Sequence, residues 1–505
     1  MDLANKNILI VGLGSSGIAA ARFAKHKGAV VTVTDIAPEG QLAGHALEAS
    51  AMGISLELGR HQAEFFERAD LIVISPGVPH TIGPILGACK KGIPVIGEIE
   101  FASRFIREPV IAISGTNGKT TTTTLLGKML ETSGFKVFVG GNIGNPLIGY
   151  VDQGAGAQIV VAEISSFQLD TIETFRPKVS VLLNITEDHM DRYPDFEAYV
   201  RSKLRIFENQ QKDDTAVINA SDPLIRSAAK DIKARQVPFY QYDSHDDCSQ
   251  ECAVIDWSGF QGAACIRLRS KESPERSLDL SGFGLVGRHN LENAAAASLA
   301  ALAAGASLDA VQSALNDFKG IPHRLESVAT VGGVRFFDDS KATNVDAVAR
   351  ALESFTHPLV LIMGGRDKGG TFSVLKELVH KHVKTLIVMG EAREKIAAAL
   401  SGACRQGAQI AANMQDAVRL AYQAAAPGDV VLLAPGCASF DMYKSYAQRG
   451  EDFCAAVRQL KESASSGLST GGRQSQSNEM TDCNDFDAKS KIHLSCIMLG
   501  KINAR

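Results

Sequence analysis

The sequence predicts an α/β fold with about three domains, and three observations support this. Short runs rich in Val and Ile alternate with Ala-rich stretches of helical character along most of the chain. Buried parallel strands separated by crossover helices have this pattern. The length of 505 residues exceeds what one ordinary core can hold. A hydrophobic content of 45% with 21% charged residues is typical of a folded globular protein.

The predicted strands fall into three groups, which end before Pro109, at Gly320–Pro322 and before Leu460. In chain order they are Asn7–Val11, Val30–Thr34, Leu71–Ser75, Val110–Ser114, Val137–Val139, Ile159–Ile164, Val179–Asn184, Val334–Asp338, Leu359–Met363, Thr385–Met389 and Val430–Ala434. The groups predict domains over residues 1–107, 108–321 and 322–462. Residues 463–505 are rich in Ser, Gly, Gln and Asn and are expected to form a disordered tail, with one short apolar patch at Ile492–Leu499.

Charge and targeting signals argue against two classes of partner. The net charge is -4 and the chain has no block of like charges, so we expect neither nucleic acid nor a membrane surface as a partner. Met1–Lys6 leaves no room for a signal segment before the first strand, and no apolar run is long enough to cross a bilayer. We therefore expect a cytoplasmic protein. We also expect it to be a monomer.

The nine cysteines are scattered along the chain. An odd count without framework spacing indicates reduced thiols, as in a cytoplasmic protein. Cys248 and Cys252 are the closest pair, but zinc would need two further well-placed ligands. We interpret these two residues as plain side chains of a polar loop.

A glycine-rich turn follows the first predicted strand and opens a helix. Its sequence is Gly12-Leu-Gly14-Ser-Ser-Gly17, and Asp35 ends the second strand. Backbone N–H groups and the helix dipole can hold a diphosphate at such a turn, while the acidic residue contacts a ribose. The pattern fits NAD, FAD or UDP equally, and a turn without any ligand is the remaining alternative.

A second glycine loop lies between the strand Val110–Ser114 and a helix predicted over Thr120–Thr132. Its sequence is Gly115-Thr-Asn-Gly118-Lys119-Thr120-Thr121. In such a loop N–H groups surround phosphate oxygens, the lysine offsets the β/γ-phosphate charge and a threonine hydroxyl reaches magnesium. The common pattern would place its first glycine where Ile113 stands, so this is a tighter variant.

This loop resembles that of the Mur ligase and folylpolyglutamate synthetase superfamily. The similarity covers residues 1 to 460. It includes Glu163-Ile-Ser-Ser-Phe-Gln168, Asn184-Ile-Thr-Glu-Asp-His189-Met-Asp191-Arg192-Tyr193, Gly287-Arg-His289-Asn290-Leu-Glu-Asn293, His323-Arg324 and Asp339-Ser-Lys341-Ala-Thr343-Asn344. The resemblance implies an N-terminal Rossmann-like domain, a central phosphate-loop ATPase with a mainly parallel sheet, and a C-terminal Rossmann-like domain. It also implies ATP and Mg²⁺ as cofactors.

Some site residues are supported both by their position and by the resemblance. Glu163 ends one apolar strand and His189 follows another, so both can reach the mouth of the phosphate loop and serve magnesium. The ordinary alternatives are a solvated strand-end carboxylate and a buried histidine. Lys203 lies on a helix predicted over Phe196–Glu208, where a lysine is normally solvated. Only the resemblance implies that Lys203 is carbamylated and binds magnesium.

The resemblance implies five sets of residues. Catalytic roles fall to Lys119, Glu163, His189 and Lys203, and the metal ligands are Thr120, Glu163, His189 and carbamylated Lys203. ATP would be bound by Gly115, Thr116, Asn117, Gly118, Lys119, Thr120, Thr121, Asn290, Asn293, Arg324 and Asp339. A UDP-linked substrate would be bound by Gly14, Ser15, Ser16, Asp35, Ser75, Pro76, Gly77 and Asn142. The acceptor amino acid would be bound by Lys341, Thr343, Lys368, Ser439, Phe440 and Tyr446.

Several segments point within the superfamily to the branch that adds D-glutamate. They are Gly-Leu-Gly-Ser-Ser-Gly, Ser75-Pro76-Gly77, Gly141-Asn142-Ile-Gly144-Asn-Pro146, Ser-Ser-Phe-Gln-Leu and Asp-Ser-Lys-Ala-Thr-Asn. The substrates implied are UDP-N-acetylmuramoyl-L-alanine and D-glutamate. Pro435-Gly436-Cys437-Ala438-Ser439 and Tyr446 depart from the usual residues of the acceptor pocket. A ligase with a different acceptor, or a nucleotide-binding regulator without ligase chemistry, remains the alternative.

Overall fold

The computed structural model describes residues 1–154, 156–241, 251–256, 264–269, 274–285 and 287–467. Three sheets, mostly parallel and covered by helices, confirm the predicted α/β class and its three-domain layout. The predictions for Cys248 and Ile492–Leu499 lie outside the described residues. No helix in the described ranges is long and apolar enough to cross a membrane.

The first sheet has five parallel strands in the order β3-β2-β1-β4-β5. They are β1 (Asn7–Val11), β2 (Val30–Asp35), β3 (Ser55–Leu58), β4 (Leu71–Ile74) and β5 (Val95–Gly97). The helices are α1 (Ser15–His26), α2 (Glu39–Ala51), α3 (Ala63–Glu67), α4 (Gly83–Lys90) and α5 (Glu98–Ser103). The strand order reverses between β1 and β4, and a crevice forms where the loops after these two strands diverge.

The second sheet has nine strands in the order β14-β13-β12-β11-β10-β9-β6-β8-β7, and among the described strands only the pairs β12–β13 and β13–β14 are antiparallel. They are β6 (Val110–Ser114), β7 (Val137–Gly141), β8 (Ile159–Glu163), β9 (Val179–Leu182), β10 (Thr215–Asn219), β11 (Arg235–Gln241), β12 (Cys252–Asp256), β13 (Cys265–Arg269) and β14 (Arg276–Asp279). The helices are α6 (Lys119–Thr132), α7 (Leu147–Gln153), α8 (Ser166–Leu169), α9 (Phe196–Leu204), α10 (Pro223–Ala228), α11 (Arg288–Ala303) and α12 (Leu308–Asp317). Strand β6 lies between β8 and β9, so the segments after these three strands meet at one edge.

The third sheet has six strands in the order β15-β16-β20-β17-β18-β19, with β15 antiparallel and the others parallel. They are β15 (Glu326–Val331), β16 (Val334–Asp338), β17 (Leu359–Gly364), β18 (Val383–Met389), β19 (Ala408–Ile410) and β20 (Val430–Leu433). The helices are α13 (Val345–Glu353), α14 (Lys376–His382), α15 (Arg393–Leu400), α16 (Met414–Ala424) and α17 (Tyr446–Gly467). The predicted start of the tail at residue 463 falls inside α17.

The predicted strands agree with the observed ones to within one or two residues at each end, and β1, β6 and β16 have the predicted bounds. The helix predicted over Phe196–Glu208 is shorter, because α9 ends at Leu204 and a 3-10 turn spans Arg205–Phe207. The Arg205 guanidinium donates to the carbonyls of Leu169, Asp170 and Ile172 at this point. These bonds hold the chain in the tighter turn.

The first and central domains are joined by two sets of charged contacts. Arg22 and His26 of α1 donate to the carboxylate of Asp152 in α7, at 2.8 Å each. The second contact is buried: the carboxylate of Glu100, on α5, is fully enclosed. It accepts five hydrogen bonds, from Arg104 Nε, Glu173 N, Thr174 N, Thr174 Oγ1 and Phe175 N, over 2.6–2.9 Å.

Burial raises the pKa of the Glu100 carboxyl, but the hydrogen bonds from Thr174, Glu173 and Arg104 outweigh that effect and hold the pKa below its usual value. A carboxylate with a depressed pKa stabilises the fold above its unfolded-state pKa, and this contribution is lost as the pH falls through the folded value. The ionised carboxylate of Glu100 therefore fastens α5 to the segment 173–175 at neutral pH.

We predict that Glu100→Ala destabilises the protein, because it leaves three backbone N–H groups without partners in the interior. The cost should be roughly 3 kcal/mol or more, and the melting temperature at pH 7 should fall by at least about 5 °C. Thermal unfolding followed by circular dichroism measures the change. The difference from the parent should narrow below about pH 4, where the carboxyl takes up a proton.

Glu197→Ala is the matched control, since Glu197 is 82% exposed and pairs only with Arg201 on α9. It should shift the melting temperature by less than about 2 °C. Equal shifts for the two variants would contradict the anchoring role of Glu100.

Candidate active site

The loop after β1 has the shape that a diphosphate site requires. Gly12 has a φ of 98°, and a Cβ on Gly17 would meet the Gly12 carbonyl oxygen at 1.8 Å, so both positions need glycine. Gly14 caps α1, and Ser15 and Ser16 form its first turn. The N–H groups of this turn are therefore available to an anion.

The neighbouring predicted residues brace this loop. The Ser75 hydroxyl donates to the Gly12 carbonyl at 3.1 Å, which brings Ser75, Pro76 and Gly77 beside the start of α1. The Asp35 carboxylate accepts the N–H groups of Leu13 at 2.7 Å and Ala37 at 2.8 Å. Each oxygen of Asp35 accepts one of these bonds and keeps a lone pair for a further donor.

The central phosphate loop is held by its own lysine and by the segment after β9. Gly115 and Gly118 have φ values of 151° and 85°. The Lys119 ammonium donates to the carbonyls of Gly115 and Thr116, both at 2.9 Å. The Asn117 N–H donates to the side chain of Asn184 at 2.8 Å. These hydrogen bonds define the shape of the loop, with Lys119 folded over it.

Glu163 lies at the end of β8 with only 2% of its surface exposed, so it is not a solvated strand-end carboxylate. One oxygen accepts the Thr120 hydroxyl at 2.8 Å and the other accepts the Asn142 amide at 2.9 Å. The structure therefore brings Thr120 and Glu163 together at the mouth of the loop. Asn142, predicted to bind the UDP-linked substrate, also lies here.

His189 follows β9 in a strained turn, with a φ of 58° in the left-handed region. Its carbonyl accepts the N–H groups of Arg192 and Tyr193, and its ring lies 4.8 Å from that of Phe167. Burial lowers the pKa of His189, although Asp188 at 3.7 Å acts in the opposite direction. The imidazole is therefore neutral at physiological pH and has a lone pair for a metal or a proton.

Lys203 is buried, which corrects the expectation from sequence that a lysine on this helix is solvated. Its ammonium donates to the Gly115 carbonyl at 2.9 Å and lies 4.7 Å from the centre of the Tyr199 ring. Lys119 donates to the same carbonyl. Burial, together with the charge of Lys119, lowers the pKa of Lys203 well below its usual value.

A cavity lies between the phosphate loop, α11 and the start of the third domain. It brings together residues from all three parts, namely Asn117, Gly118, Thr121, His289, Asn290, Asn293, Arg324, Asp339, Lys341 and Arg350. Burial raises the pKa of Asp339 to about 7 and lowers the pKa of Lys341 to about 8. Seven of the predicted ATP residues therefore share one partly enclosed space, while Gly115, Thr116, Lys119 and Thr120 lie outside its described lining.

A second cavity, of 240 Å³, lies beside His189. It is lined by Asp188 and His189 of the central domain and by Thr343, Asn344 and Lys368 of the third. The remaining acceptor residues lie outside the described lining of this cavity. The Lys341 ammonium is 4.1 Å from the centre of the Tyr446 ring, Ser439 is buried, and Phe440 is 63% exposed.

Three family models match the chain along its length. A Mur ligase MurD-like N-terminal domain matches residues 6–97, the Mur ligase middle domain matches 113–301, and the Mur ligase glutamate ligase domain matches 323–437. This chain belongs to the Mur ligase family. As a Mur ligase it is an ATP-dependent enzyme.

Relatives of this Mur ligase match it over nearly their whole length. A UDP-N-acetylmuramoylalanine--D-glutamate ligase from Desulfosudis oleivorans is 51% identical over 92% of this chain and 98% of its own. The enzyme of that name from Desulfatibacillum aliphaticivorans is 52% identical over 91% of this chain and 100% of its own. The one from Geotalea daltonii is 48% identical over 91% of this chain and 99% of its own.

Solved structures with low sequence identity share the fold. The MurF ligase from Thermotoga maritima in complex with ADP has a TM-score of 0.59 at 17% identity, over 92% of this chain and 96% of its own. A pseudomurein peptide ligase type C from Methanothermus fervidus has a TM-score of 0.57 at 21% identity, over 90% and 100%. At these identities the similarities show the fold alone.

Sequence reasoning assigned no role to five residues of this Mur ligase that join the central and third domains. The Asp346 carboxylate accepts the Asn117 amide of the phosphate loop at 2.6 Å. Arg350 lies 3.7 Å from Glu292 on α11, and Asp188 accepts the Asn344 amide at 3.0 Å. The sequence contains only a weak indication of these contacts, namely that Asp346 and Arg350 are four residues apart and so lie on one face of a helix. Tyr199 and Lys203 have the same spacing.

Proposed function

We propose that this Mur ligase joins D-glutamate to the alanine carboxylate of UDP-N-acetylmuramoyl-L-alanine, a step of peptidoglycan precursor synthesis in the cytoplasm. The observation that carries the proposal is the identity of 48–52% with ligases of this name over at least 98% of their length. Within the proposal the three domains span 1–107, 108–321 and 322–462, and the protein acts as a monomer.

The first domain holds the UDP end of the donor. Its loop offers the N–H groups of Gly14, Ser15 and Ser16 to the diphosphate, while Asp35 is placed for the ribose. The Ser75–Gly77 segment closes the other side of this crevice, since Ser75 donates to Gly12. The donor then extends from the first domain to the central loop, where Asn142 lies within the bonding network of Glu163.

ATP occupies the cavity between the phosphate loop, Asn290, Asn293, Arg324 and Asp339. Lys119 lies over the loop and offsets the charge of the transferring phosphoryl group. The donor set at the loop mouth fits magnesium, which prefers oxygen ligands. The Thr120 hydroxyl and the Glu163 carboxylate are already 2.8 Å apart there, and the neutral imidazole of His189 is available. When bound, magnesium stabilises the negative charge on the phosphate oxygens.

Lys203 acts as a carbamate in this proposal. An ammonium would repel magnesium, but burial and the nearby Lys119 favour the neutral amine. A neutral amine has the lone pair that forms a nitrogen–carbon bond with carbon dioxide and loses a proton. The product carries a negative charge and two oxygens, so it serves as a long carboxylate at the loop mouth.

The reaction proceeds in two transfers. An oxygen of the alanine carboxylate attacks the γ-phosphorus of ATP, and ADP leaves. The amine of D-glutamate then attacks the carbonyl carbon of the acyl phosphate, and the tetrahedral intermediate expels phosphate. The cross-domain contacts Asn117–Asp346 and Asp188–Asn344 close the third domain over this point. Closure excludes water that would hydrolyse the acyl phosphate.

D-glutamate lies in the cavity beside His189. Of the proposed acceptor residues, Thr343 and Lys368 line this cavity, while Lys341 lines the neighbouring cavity at the phosphate loop. Lys341 and Lys368 supply two positive charges for the two carboxylates, with Ser439, Phe440 and Tyr446 outside the described lining. The proximity of Thr343 and Lys368 to His189 in one cavity supports this placement. The amine of the acceptor then faces the loop mouth where the acyl phosphate forms.

We predict that the purified enzyme releases phosphate from ATP only when both D-glutamate and UDP-N-acetylmuramoyl-L-alanine are present. A coupled phosphate assay with each substrate omitted in turn measures this requirement. The same assay is then run with L-alanine, a diamino acid or L-glutamate in place of D-glutamate. Turnover with one of these instead would assign a different acceptor, and the absence of turnover with every acceptor would favour a nucleotide-binding regulator.

We predict that Lys119→Ala lowers kcat at least about 100-fold, since it removes a charge that the transition state requires. Binding of the UDP-linked donor should remain within about twofold of the parent, because that site lies in a separate domain. Steady-state kinetics and calorimetry measure the two quantities separately. Phosphate release near the parent rate would contradict the role of Lys119.

We predict that Lys203→Ala is nearly inactive and is partly rescued by a short-chain carboxylic acid such as acetate, which replaces the lost negative charge. Lys203→Arg should stay inactive, because its charge has the wrong sign. Lys128→Ala, at an exposed position of α6, is the control that should retain activity. With ¹³C-labelled bicarbonate, the parent should show a carbamate carbon signal that Lys203→Ala lacks. Normal activity of Lys203→Arg would exclude the carbamate.

A further inference from the structure

Arg449 of α17 is a buried cation in the interior of the third domain, with 2% of its surface exposed. Its described hydrogen-bond partners are oxygens of the main chain and one hydroxyl, none of them a carboxylate. Nε donates to Ser340 Oγ at 3.0 Å, Nη1 to the carbonyls of Gly364 and Ala438 at 3.3 and 3.4 Å, and Nη2 to the carbonyls of Ser340 and Cys437 at 2.9 and 3.1 Å.

These oxygens belong to three different segments. Ser340 follows β16, Gly364 ends β17, and Cys437 and Ala438 follow β20. Strands β16, β20 and β17 are neighbours in the sheet, so their carboxyl ends lie side by side. One guanidinium therefore bridges the ends of three parallel strands.

Each of the three segments carries a residue of the acceptor pocket. Lys341 comes directly after Ser340, Ser439 comes directly after Ala438, and Lys368 lies in the segment that Gly364 begins. Tyr446 lies one turn before Arg449 on α17, and its carbonyl accepts the Ser340 hydroxyl at 2.8 Å. The Arg449 side chain thus contacts the main chain directly beside the proposed acceptor residues Lys341 and Ser439.

The planar guanidinium suits this position because it has five N–H donors in a fixed fork. A lysine ammonium has three donors on a flexible stem and cannot reach the same set of oxygens. Space is also tight, since a Cβ on Gly365 would meet Nη1 at 3.0 Å. Burial lowers the pKa of Arg449 to about 10, so the side chain remains charged at neutral pH.

The nucleotide residue of the same region is anchored in a different way. The N–H of Asp339 donates to the Leu433 carbonyl at 2.8 Å, so β20 fixes the end of β16 without Arg449. Lys341 also has a main-chain anchor of its own, since its N–H donates to the His323 carbonyl at 3.2 Å. Loosening the guanidinium contacts should therefore disturb Ser439 and Lys368 most, and these two residues do not line the cavity at the phosphate loop. We therefore expect a larger effect on acceptor binding than on ATP binding.

We propose that Arg449 is a positioning residue for the acceptor amino acid, which sets the spacing of Lys341, Lys368 and Ser439 by bridging the three strand ends. This inference rests on the proposed function, because it takes D-glutamate as the acceptor. It assigns Arg449 no contact with substrate.

The test compares Arg449→Lys with the parent and with Arg458→Lys, an exposed arginine on the same helix. KM for D-glutamate should rise about tenfold or more in Arg449→Lys, since displacements near 1 Å in a site cost up to about 100-fold. KM for ATP and for the UDP-linked donor should stay within about twofold. Arg458→Lys should match the parent in all three constants.

A second variant tests the chemistry of the bridge. Arg449→Ala should show the same selective rise in the acceptor KM, and millimolar guanidinium should partly reverse it while ethylammonium should not. An acceptor KM equal to that of the parent would overturn the proposal. Equal rises of all three KM values, or an Arg449→Lys chain that does not fold, would also overturn it, since either result assigns Arg449 to the stability of the domain.

The outcome is separable from that of the proposed function. If the parent uses another amino acid, D-glutamate addition fails as a proposal, and the variants are then compared with the amino acid that the parent does use. A selective rise in that KM would still support the positioning role.

Discussion

Parallel strands bring their carboxyl ends to one edge of a sheet, and every part of this site depends on that constraint. In the central sheet β6 lies between β8 and β9, so the phosphate loop, Glu163 and His189 lie at the same edge because each follows or ends one of these three strands. In the third sheet β16, β20 and β17 are neighbours, and the segments after them carry Lys341, Ser439 and Lys368. The site is a junction of two such edges, and in the proposed function the edge of the first sheet holds the far end of the donor.

The carbonyl of Gly115 shows how strongly this junction is charged. It accepts hydrogen bonds from the amino groups of Lys119 and Lys203, both at 2.9 Å. Burial lowers the pKa of each lysine, because an enclosed cation loses the stabilisation that water would supply. The positive charge of Lys119 lowers the pKa of Lys203 further, so the neutral form of Lys203 relieves the repulsion between the two groups.

The sequence predicted most of the framework and part of the site. Val110–Ser114 and the loop after it were predictable because an apolar run followed by a glycine-rich loop and a lysine is typical of a buried strand that leads into a phosphate loop. The burial of Lys203 was not predictable, since it depends on a carbonyl 88 residues earlier in the chain. Arg350 and Asp346 were missed for a similar reason: helix periodicity gives the face of a residue but not the domain that covers it.

The hydrogen bond between Asn117 and Asp346 has a consequence for how these enzymes can be recombined. The phosphate loop is fastened to the third domain through one amide and one carboxylate, and the Asp188–Asn344 pair repeats this arrangement nearby. A chimera that takes residues 322–462 from another member of the family inherits only one half of each pair. Transferring acceptor specificity by exchanging the third domain therefore also requires exchange of Asn117 and Asp188, the partners of these residues in the central domain. Matched side chains at the domain interface thus limit which third domains can be combined with a given central domain.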